Sequence, residues 1–416
     1  MIVRGVRIGS VCHGLHLYRK FGTGCLKMHL MQRILNFGPI TIAEYMKECL
    51  INPTYGYYMK KDVFGSHGDF ITSPEISQVF GELLGIWLTN EWISQNSPNP
   101  FQLAELGPGR GTLLSDILRV FSRFPSLYES VSIHLVEVSP VMRSMQTEMI
   151  LVAASRFGRD PPPVSWHENF EDIPTGIPTF VLAHEFFDAL PVHQFRKTKD
   201  DWREVLLSVT DTSVNEERRF CLVNSPTRSV AQAAYLPLVG DLADRECVEI
   251  APRALNLVDQ ICRRIQNDKG AALIVDYGHL GEKGATLRGF RNHQVCDPLE
   301  DPGDIDLTCD VDFSLFSRYI ATSDFDVEIH GPEPQAYFLI NMGILNRLQA
   351  LITSCPSKEQ QDELFSGCEM LITTEQMGER FKFMAIVPRG KKRRMLPGFT
   401  DLPGTPYSKG KDMDHH

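Results

Sequence analysis

The stretch A-E-L-G-P-G-R-G-T at 104–112 constrains this 416-residue chain more than any other. It lies between a strand-like apolar run at 101–106 and a helical pattern at 112–121. Glycines at 107, 109 and 111 let the backbone turn tightly and approach a bound molecule, at a helix N-terminus that favours negative charge. The same rhythm continues downstream. Strand-like runs at 131–138, 164–167, 180–183 and 271–276 alternate with helical patterns at 140–157 and 252–266, and 381–387 reads as one more strand. Short apolar strands alternating with helices make βαβ units and a parallel sheet, and right-handed crossovers make it doubly wound. The 43% hydrophobic content supports a core for such a fold.

The glycine loop narrows the class of cofactor. A dinucleotide fingerprint reads G-x-G-x-x-G, whereas here Gly107, Gly109 and Gly111 alternate and Thr112 stands where the third fingerprint glycine belongs. An adenosylmethionine carboxylate can use the amide donors of such a loop, and Glu105, just before it, can receive the ammonium. At the end of the second strand Glu137 is placed to accept a ribose diol, a device shared by NAD enzymes, so Glu137 indicates a nucleoside without choosing between classes. Past the third strand, Asn169 is a candidate to hydrogen-bond an adenine and Phe170 to pack on it.

The fourth strand runs into H-E-F-F-D-A-L-P at 184–191. Two carboxylates, Glu185 and Asp188, flank two aromatic residues. An arginine guanidinium is always charged, and a carboxylate fork can bind it bidentately and orient one nitrogen, with Phe186 or Phe187 as an aromatic wall. Glu185 and Asp188 are therefore catalytic candidates. His293 is a third, as a general base near neutral pH, in a Gly/Asp/Arg-rich stretch at 280–313 that also carries Arg288, Asp304, Asp306, Thr308 and Asp310. No metal site is expected, because no cysteine–histidine cluster has ligand spacing.

The N-terminus differs from the rest. No Asp or Glu occurs in the first 43 residues, while Arg4, Arg7, Arg19, Lys20, Lys27 and Arg33 are basic. This is the composition of a mitochondrial presequence. Its removal takes the formal charge from −10 to −16, which disfavours a nucleic-acid partner. Ten cysteines without a C-x-x-C pair fit a reducing compartment, and no apolar run reaches membrane-spanning length. The expected organisation is a targeting segment at 1–37, a helical cap at 38–100, and an α/β domain at 101–390 with insertions at 192–250 and 280–330. A disordered tail is expected at 391–416. In the cap, a helix capped by Ser73 with Pro74 and Glu75 in its first turn is expected to bury Val79, Leu83, Ile86 and Trp87.

Several segments in register resemble one family. G-D-F-I-T-S-P-E-I-S-Q-V-F-G-E (68–82), E-L-G-P-G-R-G-T-L (105–113), V-E-V-S-P (136–140), H-E-F-F-D-A-L-P-V-H (184–193) and D-Y-G (276–278) are similar to the MidA family. The resemblance spans roughly 38–388 and implies a class I (Rossmann-like) methyltransferase fold with S-adenosylmethionine as donor. It implies cofactor positions at Gly107, Gly109, Gly111 and Glu137, and a lid at 68–82. It further implies symmetric dimethylation of an arginine in a core matrix-arm subunit of respiratory complex I, a protein partner met in the mitochondrial matrix. His184 departs from the pattern, where many relatives carry Asn, as do Ala251 and Ala336. Two other readings fit the same residues: a non-catalytic assembly chaperone that keeps the fold, and a small-molecule methyltransferase.

Overall fold

Seven strands form the continuous path of an eight-stranded sheet, in a computed structural model that describes residues 25–60, 72–211, 218–391 and 394–400. They are β1 (Phe101–Leu106), β2 (Val131–Val136), β3 (Val164–His167), β4 (Thr179–His184), β5 (Gly270–His279), β6 (Val327–Pro334) and β7 (Phe381–Pro388), in the order β6-β7-β5-β4-β1-β2-β3. β3, β2, β1, β4 and β5 run parallel, while β7 lies antiparallel between β5 and β6. The short strand Val311–Asp312 pairs with the far end of β5. The expected doubly wound, mostly parallel sheet is thus what forms.

Alternation along the strands explains the two layers of core. Leu103, Phe180, Leu182 and Leu273 pack on one face, against α1 (Gln78–Ser94) and α2 (Thr112–Phe121). Ala104, Val181, Ala183 and Ile274 face the other side, against α4 (Pro252–Asp268) and α5 (Phe313–Thr322). Between β2 and β3 runs α3 (Pro140–Arg156). A strand buried on both faces must be apolar throughout, which is why these runs are continuous in sequence. The chain order reverses between β1 and β4, so a crevice opens beyond their C-terminal ends, the place where such sheets bind ligands.

The insertions fold as small sheets beside that crevice. His193–Lys197, Trp202–Asp211, Arg218–Asn224 and Cys247–Ile250 pair with Ile40–Thr41 in a second, five-stranded sheet. Arg288–Arg291, Gln294–Cys296 and Asp306–Thr308 form a three-stranded one, although the stretch shows no periodicity in sequence. A third apolar cluster joins both insertions to Tyr45, Met46 and Cys49 of Ile42–Ile51, a helix closed by a Thr41–Glu44 capping box.

Several boundaries differ from the sequence expectation. Leu26–Phe37 is a helix whose Leu26, Leu30 and Ile34 are buried in that third cluster, so the folded body reaches upstream of residue 38. Thr72, not Ser73, caps the Ser73–Ile76 turn, and Ser77 caps α1. Ile86 is 39% exposed, on the solvent side of a helix whose opposite faces are almost fully covered. At the other end, Leu396 and Phe399 are buried and Arg394 pairs with the buried Glu91, so 394–400 is packed rather than loose; 401–416 lie outside the described residues. Among the described residues no helix is long and apolar enough to cross a membrane.

Candidate active site

The loop after β1 does what its glycines suggest. Gly107, Gly109 and Gly111 all have positive φ, at 62°, 53° and 85°. A Cβ on Gly107 would come within 2.7 Å of the Phe186 ring, and Gly111 is the N-cap of α2. Next to the loop, Glu105 is only 3% exposed and its Oε2 has no hydrogen-bond partner. Burial pushes its carboxyl up to about 8. A buried acid oxygen without a partner is costly unless a ligand cation completes it.

Glu137, one residue beyond β2, is held from two sides. Ser139 N donates to its Oε1 at 2.8 Å, and Gln146 Nε2 to its Oε2 at 3.2 Å. The same Nε2 donates to the Gly109 carbonyl at 2.8 Å, while Gln146 Oε1 accepts from Trp166 Nε1 on β3 at 2.8 Å. Gln146 thus ties the glycine loop, the acid and the third strand together. Sequence reasoning missed it, though a signal existed: Met142, Gln146, Ile150 and Ala153 form the buried stripe of α3, and a glutamine on an apolar stripe needs partners. Asn169 is exposed at the head of a turn, bonded to Asp172. Phe170 departs from expectation. Its ring is buried in the core under the Arg264 guanidinium, 5.3 Å from the ring centre, so of the two residues only Asn169 faces outward.

Beyond β4 the carboxylates converge. Glu185 has φ 50°, and its Oε1 lies 3.5 Å from His184 Nε2 without a hydrogen bond. Burial, reinforced by Asp188, Glu75 and Asp306, pushes Glu185 up to about 8, against the Ser73 N–H donated to it. His184 is pushed down to about 3 by burial and is neutral. Asp188 accepts the Tyr277 hydroxyl, and burial raises it to about 6 while Tyr277 and Arg288 pull the other way. Asp306, from the three-stranded insertion, accepts the Tyr58 hydroxyl. Arg288 stacks 5.0 Å over Tyr277 and pairs with Asp310 at 2.5 Å. Phe187 is core, and Phe186 is half-buried over Gly107.

His293 does not join this group. It is exposed, with φ 62°, and with Asn292 forms the two-residue turn of a hairpin, at the far end of the strand whose other end carries Arg288. Both turn residues need positive φ, which accounts for the position without a base. Of the lid segment at 68–82, only the part from Thr72 onward lies within the described residues. There Glu75 reaches Arg110 of the glycine loop at 3.8 Å, and Ser73 donates its N–H to Glu185, so one turn touches both halves of the site. Asp276 and Tyr277 stand out in sequence only as a D-Y-G segment beyond the fifth strand, without a role, and Tyr58 does not stand out at all. A phenol placed against a carboxylate 248 residues away leaves no local pattern.

A family model for S-adenosyl-L-methionine-dependent methyltransferases matches residues 83–332. The chain belongs to that family. Among curated relatives, "Protein arginine methyltransferase NDUFAF7, mitochondrial" of Xenopus tropicalis is 43% identical over 90% of this chain and 89% of its own length. The Homo sapiens protein of the same name is 44% identical, over 86% and 82%. Among solved structures, a Burkholderia thailandensis protein crystallised with S-adenosyl-homocysteine superposes with a TM-score of 0.74 at 25% identity, covering 90% of this methyltransferase and 94% of that chain. The residues present fit the cofactor: the unpartnered Glu105 oxygen suits its ammonium, and the cradle at Gly107 has no room for a side chain.

Proposed function

We propose that this methyltransferase modifies the guanidinium of an arginine in a protein substrate, by symmetric dimethylation of a core matrix-arm subunit of respiratory complex I. The reaction takes place in the mitochondrial matrix and supports assembly of that complex. The observation that carries the chemistry is the meeting of three buried or half-buried acids, Glu185 and Asp188 from the turn after β4 and Asp306 from a later insertion, two of them held by tyrosines. The names of the relatives and the acid-free N-terminus support the rest. The targeting segment would end before Leu26, where the packed helix begins.

Bound S-adenosylmethionine supplies an electrophilic methyl group. Glu105 takes its ammonium, the 107–111 amides its carboxylate, Glu137 its ribose and Asn169 its adenine. On the acceptor side, Glu185 Oε1 is the oxygen with unused capacity, and a guanidinium N–H completes it. Asp188 and Asp306 add negative charge without competing for the same nitrogen, because each is already engaged by a phenol. The nitrogen that gains a methyl group must lose a proton, and Glu185, raised to about 8, is matched to accept it near neutral pH. Incubating the purified protein and labelled S-adenosylmethionine with mitochondrial extract tests the reading, with mass spectrometry on the labelled band. Dimethylarginine in a complex I subunit is expected. Assembly support without transferred label would instead favour the chaperone reading.

A further inference from the structure

We propose that Asp276 is the positioning residue that aims Glu185. The inference rests on the role given to Glu185 above. The turn after β4 opens with Glu185 in a left-handed backbone conformation that a Cβ-bearing residue rarely adopts. A glutamate has no local side-chain chemistry that favours it, so the conformation must be imposed from outside. The next three N–H groups show how. Those of Phe186 (3.2 Å), Phe187 (2.9 Å) and Asp188 (3.3 Å) all donate to Oδ2 of Asp276, and Tyr277 N donates to Oδ1 at 3.0 Å.

Asp276 sits on β5, next to β4, and is 0% exposed. Glu185 N bonded to the Val275 carbonyl at 2.9 Å fixes where the turn begins. Successive amides converging on one oxygen form a nest, and here the chain fills it with its own carboxyl oxygen. Burial, with the charges of Asp188 and Glu185, pushes the Asp276 carboxyl well up, while the Phe187 and Asp188 N–H groups pull it back. The same turn presses Phe186 against Gly107. One carboxylate therefore sets both the acid that meets the acceptor and the ring that backs the cofactor loop.

The test is a double-mutant cycle of Asp276→Asn and Glu185→Gln, read by cofactor affinity, acceptor kcat and KM, and the pH–rate profile. Asp276→Asn keeps the side chain's shape but offers one acceptor oxygen in place of two and carries no charge. The expected result is cofactor affinity within about threefold of wild type and transfer slower by about 30- to 100-fold. The limb of the profile that Glu185 gives should move, because a loosened turn no longer holds its carboxyl in the same place among Asp188, Glu75 and Asp306. His184, Asp188, Glu75 and Asp306 also face Glu185 and stay in place. The double variant should be no slower than the slower single variant. Fully additive losses, or a wild-type rate for Asp276→Asn, would overturn the inference while leaving Glu185 in its role. A wild-type rate for Glu185→Gln would overturn that role itself, and the inference with it. Should Asp276→Asn not fold, Asp276→Glu keeps the charge but shifts the oxygens by one methylene. The cycle run with that variant supports or overturns the inference on the same two outcomes.

Discussion

Tyr58 donates its hydroxyl to both carboxylate oxygens of Asp306, at 3.0 and 3.1 Å, across 248 residues of chain. Tyr58 belongs to the short Tyr57–Lys60 helix ahead of the main sheet, and Asp306 to an insertion that follows β5. Neither segment contributes to the main sheet. The contact brings both to the ends of β4 and β5, so the acceptor side of the site is closed by parts of the chain added to the methyltransferase scaffold. Burial and the Asp306 charge hold the Tyr58 phenol well above its ordinary range, so it stays a donor.

Tyr58→Phe removes the hydroxyl that both Asp306 oxygens accept. Losing such a donor to a buried acid costs about 1–3 kcal/mol. The expected outcome is an acceptor KM raised by about tenfold, with cofactor affinity unchanged by calorimetry. A change confined to cofactor affinity would place Tyr58 on the other side of the site.

Gly107→Ala tests the cradle. The added Cβ meets the Phe186 ring at 2.7 Å, and the residue would sit at φ 62°, a conformation costing an L-residue about 1–2 kcal/mol. Calorimetric affinity for S-adenosylmethionine should fall by at least about tenfold. Phe186→Ala in the same background should recover part of it by giving the Cβ room.

Much of the sheet was legible because parallel strands buried on both faces read as near-continuous apolar runs: 180–183 and 271–276 fall within β4 and β5, both buried throughout. β6 (Val327–Pro334) was not, since V-E-I-H-G-P-E-P is an edge strand with polar residues and a register shift between His330 and Glu333. The cofactor loop was legible for a related reason, as glycines at strand–helix turns are a local signal. The acceptor side was legible as a constellation only at 184–188, where its residues stand together; Asp306 stood out only as one polar residue among several in the 280–313 stretch. Tyr58 comes from an element that acquires meaning only when packed, and His293 was misplaced because a loop histidine and a turn histidine look alike in sequence. Phe170 shows the same limit, since the strand end fixed its position but not which way its ring turned.

Arg394→Ala probes the packed tail. Arg394 Nη1 lies 3.0 Å from Oε1 of Glu91, an acid on α1 with no exposure. Burial raises Glu91, and Arg394 pulls it back. Without the arginine the acid is left alone inside the protein, which destabilises strongly, though Arg394 is itself 37% exposed and solvent screens part of the pair. Urea denaturation should report a loss of about 1–3 kcal/mol, with cofactor affinity unaffected. No loss would mean that the Arg394–Glu91 pair contributes nothing to stability.

Glu185 carries the most specific prediction, because two independent measurements bear on it. Glu185→Gln keeps the size of the side chain but removes the charge that meets a guanidinium and the site for the departing proton. Methyl transfer should fall by on the order of 100-fold or more, while cofactor affinity, set by the glycine loop, Glu105 and Glu137, should hold. The wild-type pH dependence has a definite sign. With Glu185 raised to about 8, it is protonated below that pH in the free enzyme, and a bound cation favours the carboxylate. Acceptor binding is therefore coupled to proton release. Its apparent affinity should weaken by about tenfold per unit as pH falls below 8 and level off above it. His184, neutral because burial holds it near 3, contributes no step in that range. Asp188, raised to about 6, adds a second, weaker step only at lower pH. In Glu185→Gln the step near 8 should vanish, leaving the lower one. A step near 8 that survives the substitution would assign the titration to another group, and transfer at the wild-type rate would show that the acceptor nitrogen does not rest on Glu185.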